Sequence, residues 1–366
     1  MGTYVYARNL VAEFSKMDKA DTGVEFCLFT CAGNSNDANL VPPSPVLRLS
    51  KTAWLRRERF WRLGAASLAA QRERADLFFS PSVSSLPIGR VPVVCTVHDA
   101  TPVVLPSHAK AATLRTRSLL WTLAKYSRAL ITVSQCSKND LVNIYGLPES
   151  KVAVVYNGYD KERFNEASPD LELQKRVLRQ LGIRKPYILH HGVVQPRKNL
   201  GRLIEAYRLM LSANPNLDLE LVLAGPLGWR YEEVLAAAGN ESAKNGRVVV
   251  TDALSDSDMT LLVKGATLAV IPSLYEGFCL PMVEAMACGV PAVAANTSCL
   301  QEVSGGVLRY FDPRSVEDMA DCMEKVLEGE ELRVELAQKG KRQAQRYDWK
   351  RCAEDTLEVL KRESRK

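Results

Sequence analysis

Apolar and polar positions alternate along the chain in blocks that predict short buried strands separated by helices. The first helix is predicted over residues 2–16, where Tyr6, Leu10 and Phe14 recur at helical spacing. Apolar runs rich in β-branched residues then predict a series of strands with helices between them. Gly146 ends the last of these helices. The predicted strands are 24–30, 76–79, 91–97, 129–133 and 152–155. This alternation is typical of a parallel sheet with right-handed crossovers.

A second series of the same kind follows a charged helix at 171–182. Its predicted strands are 187–191, 219–224, 247–251, 268–271 and 307–310, and its predicted helices are 199–211, 231–238, 256–264, 315–347 and one from Trp349 to the end. We therefore expect an α/β protein with two Rossmann-like domains, residues 1–170 and 171–366, that face each other across a cleft. The terminal helix is expected to pack back towards the first domain, and the cleft is the expected ligand site.

The first domain lacks one expected element. A doubly wound domain normally begins with a central strand and a glycine-rich turn, and only Gly2 remains of such a turn. The first strand is thus predicted to be missing, and we expect that the sequence starts at an internal Met. Loss of a central strand would expose apolar faces and unpaired backbone groups of its neighbours.

Composition describes an ordinary soluble protein, with 46% hydrophobic and 25% charged residues among 366. No apolar run approaches the roughly 18 residues of a membrane span, and the N-terminus lacks a signal-peptide pattern. Nine cysteines at irregular positions argue against a disulfide framework and favour a reducing cytosol. Neither the cysteines nor the four scattered histidines predict a metal site.

The net charge of +6 is unevenly distributed, because Arg and Lys crowd residues 48–74 together with aromatic side chains. One interpretation is a helix that buries those aromatics while the Arg stems cover its rim. The other is a basic, aromatic face that docks on anionic lipid and makes the protein peripheral at the inner face of the membrane. Nucleic acid is less favoured, since no nucleic-acid module accompanies the run.

The stretch 271–291 carries the densest set of structural signals. A buried strand is followed by Glu276-Gly277-Phe278, Pro281 suits the first turn of a helix, and Gly289 ends that helix. Glu284 lies inside the helix. A loop and helix N-terminus after a parallel strand is where α/β folds bind phosphorylated ligands.

Three clusters carry candidate chemistry, and one of them belongs to the stretch 271–291. Gly192 and the cations Arg197 and Lys198 follow a strand and open a helix, an arrangement suited to a diphosphate, although two solvated cations would give the same pattern. Backbone amides near Gly277 could hold phosphate or sugar oxygens. Glu276 and Glu284 could accept hydrogen bonds from hydroxyl groups, or they could be ordinary surface carboxylates.

The third cluster is His98-Asp99, at the carboxyl end of a first-domain strand. A histidine there could meet a substrate, but a lone histidine is more often structural.

Together these motifs resemble the retaining, nucleotide-sugar-dependent glycosyltransferases of family 4, which have the GT-B fold. The resemblance is strong over residues 180–355 and moderate over 1–160. It rests on Pro196-Arg-Lys-Asn199, Leu221-Val-Leu-Ala-Gly225, the stretch 272–291, Thr96-Val-His-Asp99, Thr132-Val-Ser134 and Val155-Tyr-Asn-Gly158.

The resemblance implies a role for each matching residue. Arg197 and Lys198, after Gly192, would hold the donor diphosphate, and Glu284 would bind the ribose. Glu276 would contact sugar hydroxyls. The amides of Gly277, Phe278, Cys279 and Leu280 would contact sugar and phosphate. The backbone of Ala253 and Leu254 would frame the base. Gly2 would lie at the donor phosphates, and His98 would lie near the reacting sugar.

The implied reaction transfers a sugar of the mannose or glucose type from a nucleoside diphosphate to a hydroxyl of a saccharide or lipid-linked acceptor, in polysaccharide or glycolipid synthesis. GDP-mannose is the favoured donor, with UDP- and ADP-sugars as alternatives, and no tightly bound cofactor or metal is expected. Because the first strand is missing, the alternative is a catalytically weak or inactive domain that binds nucleotide or a partner. A different GT-B enzyme, such as a sugar phosphorylase or nucleotide-sugar epimerase, is a third interpretation.

Two residues depart from the family pattern near the expected donor. Cys279 stands where the family usually has Gly, and a positive φ there would cost about 1 kcal/mol or more. Val193 stands where many members have Arg, which would leave that role to Arg197 alone.

Overall fold

A computed structural model describes residues 2–29, 47–49, 64–105, 110–239 and 247–365. The chain divides into two compact units. One contains Met1–Gly158 together with Tyr347–Lys366, and the other contains Tyr159–Arg346.

The first unit is built on a four-stranded parallel sheet in the order β3-β4-β5-β6, beside a separate parallel pair, β1-β2. Its strands are β1 (Phe26–Leu28), β2 (Leu47–Leu49), β3 (Phe78–Ser80), β4 (Val93–Val97), β5 (Ala129–Thr132) and β6 (Val152–Val154). Its helices are α1 (Gly2–Ser15), α2 (Lys19–Thr22), α3 (Ala66–Arg72), α4 (Thr101–Val104), α5 (Lys110–Tyr126), α6 (Gln135–Tyr145) and the C-terminal helix Trp349–Ser364. That C-terminal helix packs on α1.

The predicted α/β pattern of this unit is confirmed, and two local features show why. Ser134 caps α6 by accepting a hydrogen bond from the Ser137 amide, and Gly146 ends it in the left-handed conformation. Leu123, Leu130 and Leu141 meet in a core that the sheet shares with its helices.

The basic stretch 48–74 is not a single helix. Leu47–Leu49 is a strand that pairs in parallel with Phe26–Leu28, and an α-helix spans Ala66–Arg72. Both the center of the basic stretch and the predicted loop at 33–45 lie outside the described residues.

The second unit is a six-stranded parallel sheet in the order β12-β11-β10-β7-β8-β9. Its strands are β7 (Tyr187–His191), β8 (Glu220–Ala224), β9 (Arg247–Val250), β10 (Leu268–Ile271), β11 (Ala292–Ala295) and β12 (Arg309–Phe311). Its helices are α7 (Leu171–Gln180), α8 (Leu200–Ala213), α9 (Tyr231–Ala238), α10 (Asp256–Lys264), α11 (Leu280–Ala287), α12 (Leu300–Ser304), α13 (Val316–Glu328) and α14 (Glu330–Ala344). The C-terminal helix Trp349–Ser364, which belongs to the first unit, is α15.

Two helices of this unit differ from the prediction. The segment 315–347 is not one helix, because Gly329 has extended backbone angles (φ −87°, ψ 97°) and separates α13 from α14. The short helix α12 was not predicted.

The strand order of the second unit reverses between β7 and β10. From β7 the chain adds β8 and β9 on one side, then returns to place β10, β11 and β12 on the other. Ligands of open α/β sheets bind beyond the carboxyl ends of the strands at such a switch point. The two loops that meet there are residues 192–199 and 272–279.

Candidate functional site

A buried ion-pair cluster lies at the switch point of the second unit. Arg197 Nη1 is 2.6 Å from Glu276 Oε2, and Lys198 Nζ is 2.6 Å from Glu276 Oε1. Glu276 is 5% exposed and Lys198 6%, so solvent screens these contacts little. The interpretation of the two cations as merely solvated at a helix start is therefore wrong.

The carboxylate of Glu276 stays charged in this setting. Burial alone would raise its pKa, but the charges and hydrogen bonds of Lys198 and Arg197 outweigh burial and lower the pKa to about 2. Two cations against one carboxylate leave the cluster net positive, which favors an anionic ligand beside it.

Two helices begin at this cluster. Arg197 and Lys198 lie in the turn Pro196–Lys198, which leads into α8 through Asn199, and Glu276 lies in the loop that leads into α11. Within the described chain, neither helix has a side-chain hydrogen bond at its N-cap. In α11, Pro281 has no N–H and the Met282 amide bonds to the Cys279 carbonyl oxygen at 3.1 Å, so the first turn of α8 offers more amides to phosphate or sugar oxygens.

Two residues to which the sequence analysis gave no role, Asn199 and Ser298, hold the loops in place. Asn199 has a positive φ of 58°, and its Nδ2 donates to the carbonyl oxygens of Pro272 (3.2 Å) and Pro313 (2.8 Å). Ser298 Oγ accepts the Glu276 amide at 3.0 Å. Both residues therefore position the backbone beside the cluster.

Gly192 allows the ends of two strands to approach closely. The φ of Gly192 is 144°, and a Cβ built on neighboring Gly225 would lie 2.3 Å from the Gly192 carbonyl oxygen. A Cβ on Gly192 itself would lie 3.6 Å from Lys198 Nζ and 3.7 Å from His190 Nε2. A side chain at Gly192 would thus project into the space that Lys198 and His190 border.

His190 was missed by the sequence analysis and lies inside the site. It is 3% exposed, and its Nδ1 is 3.0 Å from the Val270 carbonyl oxygen. Burial and the nearby charge of Lys198 lower its pKa to about 3, so the ring is neutral at pH 7 and Nδ1 donates to that carbonyl. Nε2 is then an acceptor, and no hydrogen-bond partner for it exists among the described residues.

Glu284 is fixed by a second missed histidine. Its Oε2 lies 3.0 Å from His191 Nε2, at the end of β7. The Glu284 side chain is 20% exposed, whereas His191 is 7% exposed. His191 thus occupies one carboxylate oxygen, and the partly exposed carboxylate can accept hydrogen bonds from hydroxyl groups.

The residue before α11 is backbone-strained. Cys279 has φ 71° and ψ 69°, the left-handed region that disfavours any residue with a Cβ. Its side chain is 6% exposed, and burial raises the pKa of its thiol to about 12. Cys279 is the residue of this turn that has a positive φ. Its neighbours Gly277, Phe278 and Leu280 do not.

The remaining predicted residues lie elsewhere. Ala253 and Leu254 follow β9, two strands from β7, and the Ala253 amide donates to Asp252 Oδ1 at 2.7 Å. In the first unit, His98 follows β4, and burial lowers its pKa. Gly2 is the exposed first residue of α1.

His98 is held by neighbors in its own unit. Its Nε2 donates to the Pro81 carbonyl oxygen at 2.9 Å, and its ring meets the edge of the Tyr6 ring with centroids 4.7 Å apart. The neutral tautomer with a proton on Nε2 leaves Nδ1 as an acceptor.

Within the ranges that the structure describes, no group of three or more His, Cys, Asp or Glu side chains could hold a metal ion. No helix of those ranges has both the length and the apolar composition needed to cross a bilayer.

Two family models match nearly all of the chain. Residues 2–163 match "Glycosyltransferase Family 4", and residues 174–343 match "Glycosyl transferases group 1".

The curated relatives include mannosyltransferases of Escherichia coli. The chain is 28% identical to "O-antigen chain mannosyltransferase B" over 295 residues, which is 80% of this chain and 76% of that protein. It is also 28% identical to "Serotype-specific mannosyltransferase WbdA" over 76% of this chain but only 34% of that longer protein.

Solved structures share the fold. HepE of Anabaena, in complex with UDP and glucose, superimposes with a TM-score of 0.73 at 18% identity, covering 99% of this chain and 96% of that chain. Sucrose-phosphate synthase of Thermosynechococcus elongatus superimposes with a TM-score of 0.72 at 16% identity, covering 98% of this chain and 92% of that chain.

Proposed function

The chain belongs to the family 4 glycosyltransferases and has the GT-B fold, and from this premise we propose that it transfers a sugar from a nucleoside diphosphate donor to a hydroxyl acceptor with retention of anomeric configuration. The observation that carries the proposal is the buried Arg197–Glu276–Lys198 cluster between the starts of α8 and α11. Residues 171–366 would bind the donor, and residues 1–170 the acceptor.

The physical demand of the reaction is stabilisation of the departing diphosphate. Arg197, Lys198 and the first-turn amides of α8 would supply positive charge and hydrogen-bond donors to it, fixed before the reaction begins. The net positive charge of the cluster supports this role. No protein nucleophile is needed if the leaving phosphate accepts the proton of the attacking hydroxyl on the same face of the sugar.

The sugar and ribose would be held by two different carboxylates. Glu276 and the amides from Gly277 to Leu280 would contact sugar hydroxyls, and Glu284, fixed by His191, would bind the ribose. Ala253 and Leu254 would frame the base. Gly192 would leave room for the donor, while Gly2 would approach its phosphates and His98 the reacting sugar.

The donor is proposed to be GDP-mannose, with UDP- and ADP-sugars as the alternatives. Mannosyltransferases among the curated relatives support mannose, whereas UDP in the HepE structure keeps a UDP-sugar in consideration. The acceptor is proposed to be a saccharide or lipid-linked saccharide of a polysaccharide or glycolipid. The reaction would take place in the cytoplasm. Residues 48–74 would contact the inner face of the membrane peripherally.

A thermal-shift screen with GDP, UDP and ADP and their sugars tests the donor. A ligand at 100 times its Kd adds about 2.7 kcal/mol of stability, or roughly 5–10 °C in Tm for a unit of this size. We expect GDP and GDP-mannose to give the largest shift. The alternative of an inactive nucleotide-binding domain predicts a shift without consumption of the donor. No shift with any nucleotide would contradict both.

A further inference from the structure

One corner of the switch-point site is bordered by Gly192, His190 and Lys198. A Cβ built on Gly192 would point into this corner. Apart from the residues that flank Gly192, the heavy atoms nearest to that Cβ are Lys198 Nζ at 3.6 Å, His190 Nε2 at 3.7 Å and Lys198 Cε at 3.7 Å. Because Gly192 has no side chain, the corner stays open, and both nitrogen atoms face the same space.

The two nitrogen atoms have opposite hydrogen-bonding roles. His190 Nδ1 donates to the Val270 carbonyl oxygen, so the neutral ring presents a lone pair at Nε2. The ring is buried, and within the described chain no group donates to Nε2. Lys198 Nζ has three N–H donors and gives one to Glu276 Oε1, so the others can serve a ligand. The corner therefore offers an unused acceptor beside a charged donor.

A hydroxyl group matches this pair of nitrogen atoms, whereas a phosphate oxygen does not. An O–H can donate to His190 Nε2 while its oxygen accepts from Lys198 Nζ, which satisfies both nitrogens at once. A phosphate oxygen only accepts, so it would suit Lys198 but would face the lone pair of Nε2. Leaving a buried acceptor unpaired costs free energy, and the corner therefore selects a ligand that has a hydroxyl group there.

Strand geometry separates this corner from the proposed ribose contact. His190 and His191 are successive residues of β7, and successive side chains of a strand point to opposite faces. His191 contacts Glu284, whereas the charges of Lys198 and Glu276 are close enough to His190 to shift its pKa. The corner thus belongs with Glu276, at the proposed sugar end of the donor, and not with Glu284 at the ribose end.

We propose that His190 Nε2 and Lys198 Nζ together bind one hydroxyl group of the donor sugar, which makes His190 a specificity-determining residue of the transfer reaction. The inference rests on the proposed function, since it needs a nucleotide-sugar in the site. A donor that lacks this hydroxyl leaves Nε2 unpaired and binds more weakly. A nucleoside diphosphate has no sugar to place in the corner, so its affinity does not depend on His190.

Two substitutions of His190 test the proposal by calorimetry. His190→Asn keeps a donor near the position of Nδ1 but has no atom at Nε2, whereas His190→Gln reaches the position of Nε2 with an amide oxygen. The ligands are GDP, GDP-mannose, UDP and UDP-glucose, and circular dichroism first shows that each protein is folded. We expect His190→Asn to weaken binding of the nucleotide-sugar at least about tenfold and to change binding of its diphosphate less than about twofold. His190→Gln should regain most of the loss.

A matched control and a set of donor analogues locate the contact. His191→Asn should weaken diphosphate and nucleotide-sugar by the same factor, because the ribose is common to both. Fluorine in place of a hydroxyl cannot donate a hydrogen bond. One singly fluorinated donor should therefore bind the wild type at least about tenfold more weakly than the parent donor, yet bind His190→Asn as well as the parent does.

Nitrogen NMR of the histidine-labelled wild type does not depend on any variant. The Nε2 resonance of His190 should move upfield when the nucleotide-sugar is added and stay in place with the diphosphate, as for a nitrogen that newly accepts a hydrogen bond. Equal weakening of diphosphate and nucleotide-sugar by His190→Asn would overturn the inference, as would a resonance that moves with the diphosphate alone. A wild type that binds none of the four ligands would contradict the proposed function, and this inference with it.

Discussion

Replacing Glu276 with Gln removes the one carboxylate that lies between two buried cations. Gln keeps the size of the side chain and one acceptor oxygen, so the change isolates the charge. A pKa of about 2, against 4.5, corresponds to about 3 kcal/mol of stabilisation of the folded state. Loss of one partner of a buried ion pair costs about 3–5 kcal/mol by an independent route. We therefore expect the free energy of unfolding at pH 7 to fall by about 3 kcal/mol.

The pH dependence of that loss has a defined sign. Because the folded pKa of Glu276 is depressed, its contribution is complete above the unfolded pKa and disappears as the pH falls through the folded one. The difference between wild type and Glu276→Gln should hold at about 3 kcal/mol from pH 7 to pH 5 and shrink below about 2 kcal/mol at pH 3. Urea unfolding at each pH measures it.

Activity is measured on the same proteins. Donor consumption by Glu276→Gln should fall at least about 100-fold in kcat/KM, since the carboxylate proposed to contact the sugar is lost. The control is Glu220→Gln. Glu220 is 1% exposed and accepts the Arg184 amide at 2.9 Å at the opposite end of the sheet, so its loss should lower stability but leave kcat/KM unchanged. A Glu276→Gln protein with wild-type stability would refute the ion-pair reasoning, and one with wild-type turnover would refute the site.

Three further predictions concern neighbours of the cluster. Glu284→Gln should remove the preference for GDP over 2′,3′-dideoxy-GDP, measured by calorimetry; an unchanged preference would reject its ribose role. Cys279→Gly should be more stable than Cys279→Ala by about 1 kcal/mol in urea, the reverse of the usual order, because only Gly is relaxed at φ 71°. Because His190 becomes charged when the protein unfolds below pH 6.5, the free energy of unfolding of the wild type should fall by about 2 kcal/mol from this group between pH 7 and pH 5. His190→Phe should lack that fall. Identical pH profiles of the two proteins would contradict a neutral buried ring.

Much of the second unit could be predicted because local signals agreed with the fold. Apolar runs such as 268–271 are long enough to define strands, Pro281 falls in the first turn of α11, and Gly289 ends it with φ 71°. The first unit was harder. Leu47–Leu49 adjoins a strongly basic aromatic run, and its pairing with Phe26–Leu28 is a long-range contact that no local pattern reports.

The site was predictable in its residue types but not in its pairing. Arg197, Lys198 and Glu276 were identified, yet their mutual contacts join positions 78 or more residues apart and depend on β7 lying beside β10. His190 and His191 looked like isolated histidines. One sequence signal could have identified them. They end a buried strand directly before Gly192, and the carboxyl end of a strand in a parallel sheet is where ligands bind.

The most direct test of the central claim is the affinity of the switch-point cluster for a nucleoside diphosphate. Isothermal titration calorimetry of GDP should be run with the wild type and with Arg197→Gln, after circular dichroism shows that both are folded. We predict that the wild type binds and that Arg197→Gln weakens binding at least tenfold, the loss of a charge-assisted contact to phosphate. Equal affinity in the two proteins would contradict the claim that this cluster holds the donor diphosphate.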